Sequence, residues 1–100
     1  KSGDVEITRA DMAMINNALG TSYYAFREYE KAIDYFFESG NYLDDKNTKN
    51  MSILYYNIGN CNRSINDFKK ANENYTIGLK IANLKQDHDM EAILTNLISK

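Results

Sequence analysis

The 100-residue chain repeats itself, and this constrains its fold more than any other feature. Sliding it by 39 residues lays Leu19 on Ile58 and then on Leu97, and Gly20 on Gly59. The same shift lays Tyr29 on Phe68, Lys31 on Lys70, Ala32 on Ala71 and Phe36 on Tyr75. Met12, Met51 and Met90 share one register, and Asn57 falls on Asn96. The matches gather at apolar and small positions, where repeated packing restricts the choice of residue. A fixed period in this range marks stacked supersecondary units.

Inside each unit the apolar spacing is helical and not alternating. Ile15, Leu19 and Tyr23 step by four, as do Leu54, Ile58 and the small slot at Asn62. Tyr29, Ala32, Ile33, Phe36 and Phe37 mark a second helix, and Phe68, Ala71, Tyr75 and Leu79 mark its counterpart. Proline is absent and glycine occurs only five times, so little interrupts long helices. The pattern predicts an all-α fold of five helices near 9–26, 29–42, 48–63, 67–84 and 88–100.

The punctuation agrees. Thr8 and Asp11 form a capping box, Asn66 is placed to cap the fourth helix, and Asp87 and Asp89 complement the positive start of the fifth. Asp44-Asp45-Lys46-Asn47 reads as a polar turn. The chain thus divides into a lead-in (1–8), one helix hairpin (9–44), a second (45–84) and the first helix of a truncated third (85–100). Gly20 and Gly59, with Ala32 and Ala71 opposite, are expected to let the paired helices cross closely.

Composition excludes several function classes. The net charge is −2, with 6 basic and 9 acidic residues in the first fifty and 6 and 5 in the last. No dense positive field exists for neutralising phosphates, so nucleic acid is not an expected partner. The apolar runs are too short to span a bilayer. Cys61 is the only cysteine, which forbids an internal disulfide and suits a cytoplasmic location. With no His in its own repeat to activate it, Cys61 reads as a small filler and not as a nucleophile.

Asp87-His88-Asp89 has no second His or Cys at ligand spacing, so it reads as helix-start acids beside an exposed histidine. Phosphate-loop, dinucleotide and zinc-protease motifs are missing. Neither metal, cofactor nor catalytic residue is expected, and the chain does not read as an enzyme.

The two units resemble the tetratricopeptide repeat. The first carries Asn16, Leu19-Gly20, Tyr23, Tyr29, Ala32, Phe36 and Ser39; the second carries Tyr55, Ile58-Gly59, Asn62, Phe68, Ala71, Tyr75 and Gly78. Asn16 and Asn62 depart from the family pattern, as do the missing proline and a period of 39 against the usual ~34. Longer, proline-poor repeats of this kind look like those in peptide-sensing regulators of Gram-positive bacteria, the Rap, NprR and PlcR group.

The resemblance implies a helical solenoid whose first helices line a concave groove. Its lining would be Asn17, Thr21 and Tyr24, then Tyr56, Asn60 and Arg63, then Thr95 and Ser99, with Asn57 and Asn96 alongside. Asparagines there could pair with a peptide backbone, Arg63 could fork onto a carboxylate, and the tyrosines offer rigid contact. Repeat packing would fall to Leu19, Gly20, Tyr23, Tyr29, Ala32, Phe36, Ile58, Gly59, Phe68, Ala71, Tyr75 and Leu97.

The function implied is a protein- or peptide-binding module, narrowed to the sensor domain of a bacterial regulator that binds a signalling peptide. The alternative is a structural scaffold for a constant partner. The truncated third unit is expected to leave an apolar flank around Ile93, Leu94 and Leu97. More chain, or self-association with a neighbouring molecule, would then cover it.

Overall fold

The computed structural model describes residues 7–44 and 48–98, which leaves 45–47 of the expected polar turn and the groove candidate Ser99 outside the described residues. Five α-helices follow one another: α1 (Arg9–Ala25), α2 (Tyr29–Gly40), α3 (Thr48–Ser64), α4 (Phe68–Leu84) and α5 (His88–Ile98). There is no strand among the described residues. Each helix packs chiefly on its neighbours in the chain, and α3 also touches α5. The molecule measures 54 × 32 × 17 Å, an elongated slab in place of a sphere.

The pairs α1/α2 and α3/α4 are antiparallel hairpins. Near one end of the first, Ser39 Oγ donates to the Ala13 carbonyl at 2.7 Å. Further along, Gly20 lies against the Phe36 ring; an added Cβ would sit 2.7 Å from Cδ1. In the second hairpin Gly59 lies against Tyr75, where a Cβ would sit 2.5 Å from Cε1. The aromatic ring of the partner helix therefore fills the space that each glycine leaves. Ala32 and Ala71 are themselves buried, one in each apolar cluster.

The helix ends explain the boundaries. Thr8 Oγ1 accepts from the Asp11 N–H and Asp11 Oδ2 accepts from the Thr8 N–H, both at 3.1 Å, so the capping box is complete. Three turns share one geometry, each with a residue of positive φ: Arg27 (64°), Asn66 (65°) and Gln86 (56°). At the first, the Arg27 N–H donates to the Tyr24 carbonyl and the Glu28 N–H to the Tyr23 carbonyl. Asn66 with Asp67, and Gln86 with Asp87, repeat the pattern. This is the Schellman closure, which satisfies carbonyls left over at a helix C-terminus.

The finding corrects the expectation for Asn66. It closes α3, because asparagine tolerates the left-handed region, and the cap of α4 is Asp67, whose Oδ1 accepts from the Lys70 N–H at 3.2 Å. Neither Arg27 nor Gln86 suits a left-handed backbone. Arg27→Gly and Gln86→Gly are each expected to stabilise the fold by about 0.5–1 kcal/mol, and Asn66→Gly by less. Thermal denaturation of the three variants checks that order.

Two apolar clusters hold the slab together. The first joins α2 to α3 through Ala32, Phe36, Leu54, Ile58 and Cys61, with Tyr23, Tyr29 and Ile33 packed around them. The second joins α4 to α5 through Ala71, Tyr75, Ala82, Met90 and Leu94, with Ile53 and Tyr56 of α3 packed against it. In contrast, α1 buries only Ala13, Asn16 and Gly20.

Several expectations about packing change here. Leu19 is 38% exposed although its repeat mate Ile58 is fully buried. Ile58 packs in the cluster with α2, while among the described residues no helix precedes α1 to cover Leu19 in the same way. Phe68 is 57% exposed where Tyr29 is half-buried. Tyr29 meets the Tyr24 ring edge-on at 5.3 Å, and the repeat equivalent of Tyr24 is Arg63, which gives Phe68 no ring to pack on.

The flank on α5 is also not open. Leu94 is fully buried and Leu97 half-buried against α4, and only Ile93 is largely exposed. The start of α5 lies 40 residues after that of α3, not 39. Leu94 thus takes the buried place of Leu54, which the 39-residue shift would assign to Ile93.

Candidate functional site

Of the sequence-predicted groove residues, the fold gathers Tyr24, Asn60 and Arg63, joined by Ser64, around one small hollow of about 250 Å³. Tyr24 comes from the last turn of α1 and the others from the last turns of α3. At the opposite ends of the same two helices, Ala10, Met14 and Asn17 face Asn50, Ile53 and Leu54 across a larger cleft of about 400 Å³. The helices α1 and α3 therefore run side by side in the same direction, with a mainly apolar depression at one end and a polar one at the other. On α1, Asn17 and Tyr24 are seven residues apart, about 10 Å of helix.

Chemistry at the polar end centres on Tyr75. Its hydroxyl donates to Asn60 Oδ1 at 2.6 Å, which orients the amide of Asn60. Burial pushes the Tyr75 phenol above its usual pKa, while a hydrogen bond and the charge of Arg63 pull the other way. The phenol is neutral at physiological pH and keeps its proton on the Asn60 bond. Arg63 is exposed, and no ion pair involves it among the described residues. Tyr56 is half-buried, its ring 6.5 Å from that of Tyr75.

The remaining candidates disperse. The Thr21 hydroxyl donates to the Asn17 carbonyl of its own helix at 2.9 Å. Asn57 is half-buried and lines neither depression. Asn96 is exposed on a shallow surface between α4 and α5, beside Thr95 and Glu91. Sequence reasoning counts Tyr75 among the packing residues and so overlooks its hydroxyl. The signal lies in the repeat itself, since the equivalent residue is Phe36 and the oxygen is the one addition.

The two departures from the repeat pattern find their explanations here. Asn16 is buried, and its Nδ2 donates to the Met12 carbonyl at 2.9 Å. Asn62 is buried too, and its Oδ1 accepts from Asn74 Nδ2 at 2.8 Å, a side-chain bond tying α3 to α4. Burial of an amide is costly unless it is bonded, and both amides have partners.

Among the described residues no group of three or more His, Cys, Asp or Glu could hold a metal ion. Asp87 caps α5, accepting from the Met90 N–H at 3.2 Å, and His88 Nδ1 lies 2.8 Å from Glu91 Oε1 on the helix surface. Among the described residues no helix is long and apolar enough to cross a membrane. No protein-family model, curated protein or solved structure matches the chain.

Proposed function

We propose that this chain is a protein- or peptide-binding module of the tetratricopeptide type, and that the groove between α1 and α3 holds an extended segment of its partner. The observation that carries the reading is the convergence of Tyr24, Asn60 and Arg63, from two separate units, on one hollow. An amide held in place by Tyr75 offers a fixed donor for a backbone carbonyl, and Arg63 supplies a guanidinium without a competing carboxylate. The apolar depression beside Met14 and Ile53 accommodates a side chain of the same segment.

A sensor for a short signalling peptide is the narrower form of this proposal. Binding would then favour one arrangement of the two units over another, and an attached output domain would read the difference. A panel of short peptides titrated by fluorescence anisotropy tests it. Arg63→Gln and Tyr24→Ala should each weaken a binding peptide by about 5–30-fold, the range of an ordinary interface anchor. Equal affinity in parent and variants would move the binding surface elsewhere.

A further inference from the structure

A second cleft, of about 460 Å³, opens between α2 and α4 and uses the opposite face of α3. Ile58, Asn62 and Ile65 of the α3 segment face it, while Asn60 and Arg63 face the groove described above. No residue of α1 or α5 lines it. Its apolar side is formed by Ile33 and Phe37 of α2 with Ile65, above the fully buried Ile58, and both Phe37 and Ile65 remain substantially exposed. Exposed apolar surface in a concave setting is costly to leave in water and marks contact surfaces.

Charge distinguishes this cleft from the rest of the molecule. Glu30, Asp34, Asp67 and Glu73 line it against a single Lys70, in a chain whose net charge is only −2. Asp67 has work as the cap of α4. Glu30, Asp34 and Glu73 take part in no ion pair among the described residues. Repeat packing does not require Phe37, because Thr76 occupies the equivalent place of α4.

We infer that this cleft docks a basic amphipathic segment of a partner protein. The partner's apolar side chains lie on Phe37 and Ile65, and its Lys or Arg side chains reach Glu30, Asp34 and Glu73. Complementary charge steers such a segment and fixes its register, while the apolar contact supplies the buried area. A segment with acidic residues in those places is repelled. The inference is independent of the groove between α1 and α3, since the two surfaces lie on opposite faces of α3.

The test uses three labelled peptides of one length: alternating Leu and Lys, alternating Leu and Glu, and alternating Ser and Lys. The Leu/Lys peptide should bind the parent chain, with amide shifts in NMR spectra clustered at Ile33, Phe37, Ile65 and Glu73. The triple variant Glu30→Gln, Asp34→Asn, Glu73→Gln should weaken that binding by about tenfold, as should a rise in salt from low to high ionic strength.

Phe37→Ser, at an exposed position, should weaken it without lowering the melting temperature. Failure of the Leu/Lys peptide to bind overturns the inference. So do equal binding of the Leu/Glu peptide, equal binding of the Ser/Lys peptide, and shifts confined to Tyr24, Asn60 and Arg63. Concentration-dependent self-association that the triple variant abolishes would overturn it too, by making a second copy the occupant.

Discussion

Gly59→Ala should destabilise the protein by about 2 kcal/mol, even though alanine is the better helix former by about 1 kcal/mol. The new methyl carbon would lie 2.5 Å from Tyr75 Cε1 and 2.6 Å from Cδ1, well inside contact distance. A flexible side chain would step aside. Tyr75 cannot do so cheaply, because its ring is 1% exposed and its hydroxyl is tied to Asn60. Relief has to come from separating α3 and α4, which costs the packing along both.

Thermal unfolding should show the melting temperature falling by roughly 10 °C. Gly20→Ala meets Phe36 at 2.7 Å and should fall less, since no hydroxyl anchors that ring. Gly40→Ala is the control: its Cβ would meet only the terminal Cδ2 of Leu54, at 3.1 Å. A Gly59→Ala protein as stable as its parent would mean that the Tyr75 ring is free to swing.

Cys61 should resist alkylation in the folded protein. Its side chain is fully buried in the cluster between α2 and α3, and burial pushes the thiol from 9.0 up to about 11. Since the thiolate is the reactive form, that shift alone lowers reactivity at pH 8 by about a hundredfold, before any loss of access. Labelling with iodoacetamide should be slow in buffer and rapid in denaturant, and its rate should report opening of the α2–α3 contact.

The same shift has a consequence for stability. The unfolded chain loses the thiol proton near pH 9 and the folded chain near pH 11, so the unfolded state binds fewer protons between those values. The contribution is fully present below pH 9 and is lost as the pH rises toward 11. Stability of the parent should fall across that window more steeply than that of Cys61→Ala. Fast labelling in buffer, or identical slopes for the two proteins, would show that the thiol is not held away from water.

Helix number and boundaries were legible in the sequence because apolar residues step by three and four, and because Thr8 with Asp11 marks a start that the hydrogen bonds bear out. Local patterns became ambiguous where two readings share one residue type. Asn66 is both a good cap and a good left-handed residue, and the turn geometry alone decides between them. Periodicity also marks a face without saying what covers it, which is why Leu19 and Phe68 read as core and stand partly in water.

One inserted residue ahead of α5 suffices to exchange Ile93 for Leu94 on its buried side. The candidate sites were the least legible. The hollow at Arg63 needs a tyrosine from α1 and a hydroxyl from α4, and the acidic cleft draws on three helices and a turn. Neither is a pattern within any single segment.

The central place of α3 governs how the chain comes apart. Neither apolar cluster draws a fully buried side chain from α1, whereas both lean on α3, which supplies Leu54, Ile58 and Cys61 to one and packs Ile53 and Tyr56 on the other. Releasing the third helix therefore dissolves both clusters at once, whereas losing the first uncovers Phe36 of one cluster, whose ring lies against Gly20. Asn60 and Arg63 sit on that third helix, so the polar hollow cannot lose their side of it without the interior being lost too.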